Sequence, residues 1–188
     1  VTIIPLTITF GEEQYLDGVT LTHHEFYEKL IETDSLPVTS QVNPAAFSAV
    51  FDKAALAQEE VVVITLSGKL SCTNQSALIA AQAAPCPVYV VDSESAAMGE
   101  AILLKRACEL ADEGLSAADI AQTLEQEKRD IRLVALLDTL EYLKRGGRIS
   151  ATAATVGSVL SIKPVIAIEN GEVVVLVKAR GSRKGNNL

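Results

Sequence analysis

Hydroxyl groups dominate the chemistry this chain offers. Thr39-Ser40-Gln41 and the run Ser67-Gly68-Lys69-Leu70-Ser71-Cys72-Thr73-Asn74-Gln75-Ser76 each lie where a loop enters a helix. The second run follows Val61 to Leu66, a β-branched stretch that reads as a parallel strand covered on both faces. Open α/β sheets bind ligands at the carboxyl ends of such strands, and hydroxyls beside free N–H groups at helix N-termini suit a carboxylate or phosphate. Pattern alone leaves a second reading open, in which these Ser and Thr residues only cap helices.

Catalytic alternatives are thinner. Ser67 with Lys69 has the residue types of a nucleophile and its base, but there is no G-x-S-x-G elbow and neither histidine is near in sequence. Asp92 reads as an acid, a base, a metal ligand or a cap before the next helix. His23-His24 is half of a metal site at best, and no Cys or third His joins it, so the pair is expected in solvent and no metal is expected. Without G-x-x-x-x-G-K-[ST] or G-x-G-x-x-G, the chain is not expected to hold ATP or a dinucleotide by those routes, and no cofactor is expected. Lys144, Arg145 and Arg148 form one basic cluster; Lys178, Arg180, Arg183 and Lys184 form another. They take seven of the 16 Lys and Arg residues and leave nine against 24 acids, a charge of −15 for the rest of the chain. Such segregation suits a docking patch for an acidic partner or a phosphorylated ligand, or else a solvated face.

The elements that would position these groups follow a regular order. Val1 to Phe10 reads as a strand with a bend at Pro5. Thr22 with Glu25, flanked by Leu21 and Phe26, makes a capping box and hydrophobic staple. Asn43 caps and Pro44 opens a helix running to about Gln58, which would place Thr39-Ser40-Gln41 at a helix N-terminus. Val61 to Leu66, Val88 to Val91 and Ile131 to Leu137 alternate with helices, one from about Ser95 to Glu113 stopped by Gly114 and one capped by Ser116, and predict βαβ units with right-handed crossovers. Beyond Leu137, Asp138 with Glu141 caps a short helix ending at Gly146-Gly147-Arg148. Residues 151–160 suggest another helix. Asn170-Gly171 between two apolar runs predicts a hairpin. The fold class is therefore α/β, a parallel-sheet βαβ domain with helices on both faces over residues 1–130, followed by part of a second, α+β domain over 131–188 with an antiparallel hairpin.

The bulk properties bound the rest. The 188 residues carry a net charge of −8, are 48% apolar and only 4% aromatic, and lack Trp. That excludes disorder and argues against nucleic acid or an anionic membrane surface as partner. The longest apolar stretches, such as Leu133 to Leu137, are far too short to span a bilayer. Cys72, Cys86 and Cys108 are odd in number and show no C-x-x-C pairing, so free thiols and a cytoplasmic location are expected.

Taken together, Thr2 to Phe10 with Asp17-Gly18, Pro37 to Gln41, Leu66 to Ser76, Val91-Asp92-Ser93 with Gly99, DTLEYLKRGGRI over Asp138 to Ile149, Ser161-Ile162-Lys163-Pro164 and Gly171 through Arg180 make the chain resemble the DegV family. These are bacterial fatty-acid-binding proteins that serve as the acyl-carrying subunit of fatty acid kinase. The resemblance implies that Thr39 and Ser71 hold the fatty-acid carboxylate, with Ser40 and Arg148 in the surrounding head-group network. It implies that Arg180 engages the kinase, whose separate subunit supplies ATP and converts the bound acid to an acyl-phosphate. The carrier itself is then not an enzyme. It also implies further chain at both ends, with an acyl tunnel between two domains. Two departures stand out: Cys72 where the family has Gly, and Ala97 and Ala101 where it has Ser and Gly. The alternative functions are a stand-alone Ser-based hydrolase or acyltransferase using Ser67 or Ser71, and a regulatory module that binds a partner through its basic patch.

Overall fold

The computed structural model describes residues 1–33, 36–149 and 162–180. The chain packs as two units, Val1–Val61 with Gln75–Val88, and Val62–Asn74 with the residues from Tyr89 onward.

In the first unit, β1 (Thr7–Phe10) lies between β2 (Glu13–Leu16) and β3 (Val38–Ser40), antiparallel to both. The strand begins at Thr7 rather than at Val1, because Pro5 has no N–H to give a ladder. Leu6 O is taken instead by the Asp17 N–H at 3.0 Å. Period-2 alternation turns Ile8 and Phe10 inward, where they pack with Leu21, Tyr15 and Phe26. Helix α1 (His23–Glu32) starts as its sequence dictates: Thr22 Oγ1 accepts the Glu25 N–H at 3.3 Å and Glu25 Oε2 accepts the Thr22 N–H at 2.7 Å. Leu21 and Phe26 close the staple. Helix α2 (Pro44–Leu56) opens on Asn43, whose Oδ1 accepts the Ala45 N–H at 2.6 Å, and buries Phe47, Phe51 and Ala54.

In the second unit, β4 (Val61–Thr65) and β5 (Val88–Asp92) pair in parallel; α3 (Thr73–Gln82) follows the loop after β4, and its residues from Gln75 belong to the first unit. Helix α4 (Met98–Asp112) and α5 (Ala117–Glu127) pack together. Val91, Leu103, Leu110, Ile120 and Leu124 form the core, with Val62, Ile64, Tyr89 and Ile131 around it. Gly114, at φ +87°, ends α4 as expected, and Ser116 Oγ accepts the Asp119 N–H at 3.2 Å to begin α5. The helix expected from Ser95 starts three residues later. Ser95 is buried in the loop instead, and α4 has no side-chain cap.

The third strand, β6 (Leu133–Leu136), does not extend the parallel pair. It lies antiparallel to β7 (Ile162–Glu169), which pairs with β8 (Glu172–Arg180). Its burial alternates, as an antiparallel strand with one solvated face does. Asn170 and Gly171, at φ +50° and +81°, form the tight hairpin turn that their pairing demands. Between β6 and β7, α6 (Glu141–Arg145) is started by Thr139, whose Oγ1 accepts the Glu141 N–H at 3.0 Å. Asp138, expected as the cap, is paired with Lys163 instead. Leu140 and Ile149 anchor this segment on Ile166. The helix expected over residues 151–160 lies outside the described residues. All three cysteines are free thiols.

Candidate functional site

The hydroxyl loop is a knot of backbone and side-chain hydrogen bonds built at the ends of β4 and β5. Ser67 is wholly buried; its Oγ donates to Gly171 O at 2.7 Å and accepts the Lys69 N–H at 3.2 Å. Ser67 O accepts the N–H groups of Leu70 and Ser71, which curls the loop into a turn. Ser71 Oγ then accepts the Thr73 N–H at 3.2 Å and lies 2.9 Å from Thr73 Oγ1, at the first turn of α3. Asn74 reaches back to Thr65 Oγ1 at 3.0 Å. The two readings of these hydroxyls, capping and binding, are thus compatible at Ser71, which is half-buried and retains lone-pair capacity while it caps.

Asp92, at the end of β5, joins the two strand-end loops. Its Oδ2 accepts the Gly68 N–H at 3.0 Å and its Oδ1 the Glu94 N–H at 2.8 Å. Buried Ser93 and Ser95 support the same corner: Ser95 O accepts the Ser67 N–H at 2.7 Å, and Ser93 Oγ accepts the Ser95 N–H at 3.1 Å. Asp92 therefore acts as a brace, the cap-like alternative among those its position suggested.

Arg148 reaches the loop from the other side. Gly147, at φ +73°, turns the chain after α6, and Arg148 Nε donates to Leu70 O at 3.2 Å, next to Ser71. The guanidinium also bonds Gly146 O. Thus the hairpin turn, Asp92 and Arg148, far apart in sequence, fix the one loop between β4 and α3.

Thr39 and Ser40 are not at a helix N-terminus, as their closeness to Pro44 suggested. They sit in β3, opposite Ile8 and Thr7 of β1, and both are exposed. Strand pairing is a non-local gain that the local pattern does not display. Gln41, which follows them, donates from Nε2 to the buried Ser76 Oγ at 3.1 Å, a tie the sequence reading missed. The only cue to it was a polar residue inside an otherwise hydroxyl-bearing motif.

The remaining candidates are placed as follows. Lys69, the base suggested for Ser67, pairs with Glu172 at 3.4 Å, and the Ser67 proton goes to a backbone carbonyl. His24 is exposed and lies 3.2 Å from Glu28. Among the described residues no group of three His, Cys, Asp or Glu side chains could hold a metal ion, and no helix is long and apolar enough to cross a membrane. Arg145 pairs with Glu141 at 3.1 Å. Arg180 is the last residue of β8, opposite Ile162. Arg183 and Lys184 lie outside the described residues.

The model of the family described as "Uncharacterised protein, DegV family" matches residues 1–187. This chain belongs to the DegV family. Its relatives include a DegV domain-containing protein of Caldanaerobacter subterraneus subsp. tengcongensis, 37% identical over 183 residues, and protein DegV of Bacillus subtilis, 33% identical over 184 residues. Each alignment covers 97% of this chain but 65% and 66% of the relative, so the chain spans just under two thirds of these DegV proteins. Among solved structures, a DegV family protein from Thermus thermophilus, described as binding fatty acid, superposes with a TM-score of 0.87 at 38% identity over 97% of this chain and 65% of the other. A stearic-acid-binding protein from Eubacterium ventriosum gives 0.88 at 28% identity over 99% and 66%. Bacillus subtilis DegV, described as a fatty acid binding protein, gives 0.87 at 32% identity over 98% and 66%.

Proposed function

We propose that this DegV chain is the larger part of a cytoplasmic carrier that binds a long-chain fatty acid and presents its carboxylate to a separate ATP-dependent kinase subunit, which forms the acyl-phosphate. The observation that carries the fatty-acid part is the likeness, over nearly the whole chain, to DegV structures described as binding fatty acids. The pinned hydroxyl loop is chemically suited to that ligand. Neutral hydroxyls and N–H groups solvate a carboxylate without neutralising it, which leaves an oxygen free for phosphoryl transfer. Burying about 14 methylenes at roughly 0.8 kcal/mol each supplies on the order of 11 kcal/mol of gross affinity. The head group then needs to add orientation more than strength.

In this reading Thr39 and Ser71 receive the carboxylate, Ser40 and Arg148 belong to the head-group network, and Arg180 docks the kinase. Ser71 and Arg148 are supported by the bond from Arg148 to Leu70 O, which fixes the residue before Ser71. The hydrolase alternative draws no comparable support at Ser67, whose hydroxyl is enclosed and hydrogen-bonded to a backbone carbonyl.

Organic extraction of the purified protein followed by mass spectrometry is expected to release long-chain fatty acid. Recovering none, together with no binding of added palmitate or oleate, overturns the carrier reading. Thr39→Ala and Ser71→Ala are each expected to lower the kinase-coupled rate of acyl-phosphate formation by about tenfold, the worth of a hydrogen bond to a charged group, with small changes in melting temperature. An unchanged coupled rate removes their assigned roles. Covalent labelling of Ser71 by a fluorophosphonate would favour the hydrolase.

A further inference from the structure

Among the described residues Lys128 is the only charged residue that is buried, at 8% exposure. It lies in the 3₁₀ turn Lys128–Asp130 that ends α5. Its ammonium makes three contacts, to Asp92 O at 3.0 Å, Glu94 Oε1 at 3.0 Å and Glu125 Oε2 at 2.6 Å, and so uses its full donor capacity. Two of those partners belong to the corner that fixes the hydroxyl loop. Asp92, gripped at its carbonyl by Lys128, holds the Gly68 and Glu94 N–H groups with its carboxylate. From Gly68 the path to Ser71 is one turn, closed by the Leu70 and Ser71 N–H bonds to Ser67 O.

The corner also has an electrostatic problem. Asp92 and the exposed Glu94 bring two carboxylates to the corner beside the loop proposed to receive another, and like charges repel, though less where water reaches them. Lys128 is the cation in direct contact with Glu94 and Glu125. Burial works to lower its pKa, but Glu125 and Glu94 together outweigh burial and hold it above the ordinary lysine value, so it stays charged at neutral pH.

We propose that Lys128 is a positioning residue for the carboxylate site: through Asp92 it sets the backbone of the Ser67–Ser71 loop, and its charge offsets the carboxylates beside that loop. The proposal rests on the fatty-acid reading for its ligand, and on the Lys128–Asp92–Gly68 chain of bonds for its mechanism. A lysine that only held the fold would weaken binding of acid and neutral lipid alike. A positioning lysine discriminates between them.

The test uses cis-parinaric acid and its methyl ester as fluorescent probes of the full chain. Lys128→Met is expected to weaken binding of the acid by about tenfold, the loss typical of one charged hydrogen bond, and to leave the ester within about twofold. Lys128→Arg should recover part of the loss. Amide hydrogen exchange of residues 66–76 should accelerate in Lys128→Met, whereas exchange in β1 and β2 should not change. Equal losses for acid and ester, or unchanged exchange over 66–76, overturn the proposal. Should Lys128→Met fail to fold because Glu125 is left unpaired, the double variant Lys128→Met/Glu125→Gln removes both charges and answers the same question. If the wild type binds neither probe, the fatty-acid reading fails by itself, and the exchange measurement still decides whether Lys128 positions the loop.

Discussion

At Gly68 a side chain would crowd the carboxylate that braces the loop. A Cβ there would lie 2.9 Å from Asp92 Oδ2, the atom that accepts the Gly68 N–H. Gly68→Ala must therefore shift the Asp92 carboxylate, and the expected loss is about 1 kcal/mol by urea denaturation, the worth of a weakened hydrogen bond. Glu100 gives a second check at this scale. It is half-buried in the first turn of α4, and burial raises its carboxyl pKa. A group whose pKa is raised by folding favours the fold most while protonated, and that advantage is lost as pH climbs from the ordinary glutamate value through the raised one. Glu100→Gln should thus raise the melting temperature at pH 7 and change it little at pH 4; an equal change at both would mean that charge is not the cause. Asp92 was legible as a candidate from its place at the end of an apolar run, because strand ends are local. Lys128 was not legible, since two of its three acceptors, on Asp92 and Glu94, come from a segment more than thirty residues away.

Whole elements were legible in proportion to how locally their signals are written. Thr22 and Glu25, Asn43 and Pro44, Ser116 and Asp119, and Asn170-Gly171 each carry start or turn chemistry within four residues, and each stands where it was read. β3 and β6 are the counterexamples. Thr39 and Ser40 look like residues before a helix until β1 pairs with them, and Leu133–Leu136 looks like a third parallel strand until β7 takes it antiparallel. Partners about 30 residues or more away in each case decide what a short apolar or hydroxyl run becomes. The capping box offers a test at this scale. Hydrogen bonds from the Thr22 backbone and then from its side chain lower the Glu25 pKa. The stability they supply is complete above the ordinary glutamate value of 4.5 and is lost as pH falls through the lowered one. Glu25→Gln should lower stability at pH 7 and have progressively less effect toward pH 3, as measured by urea denaturation. A cost that does not shrink in acid would mean the box is not what holds this terminus.

Over the whole molecule the telling quantity is the separation of charge. In the sequence, the seven basic residues gathered within 144–148 and 178–184 leave −15 for the rest of the chain, a body that repels most anionic surfaces while the basic segments suit an acidic one of matching shape. This matters for a carrier, because the proposed kinase must find the face from which the carboxylate is offered and leave the rest of the protein alone. Coulomb attraction across water is screened within about 8 Å at physiological ionic strength, so such a patch acts on encounter rate and orientation more than on final affinity. Arg180, the last residue of β8 opposite Ile162, is the member of the patch assigned to that encounter. Arg180→Ala should slow association with the kinase subunit several-fold at 50 mM salt, flatten its salt dependence, and leave cis-parinaric acid binding unchanged, as read by surface plasmon resonance and fluorescence respectively. Unchanged association would remove Arg180 from docking. A partner captured with equal strength by lipid-loaded and lipid-free protein would favour the regulatory-module reading, because a kinase that acts on the bound acid gains from telling the two forms apart.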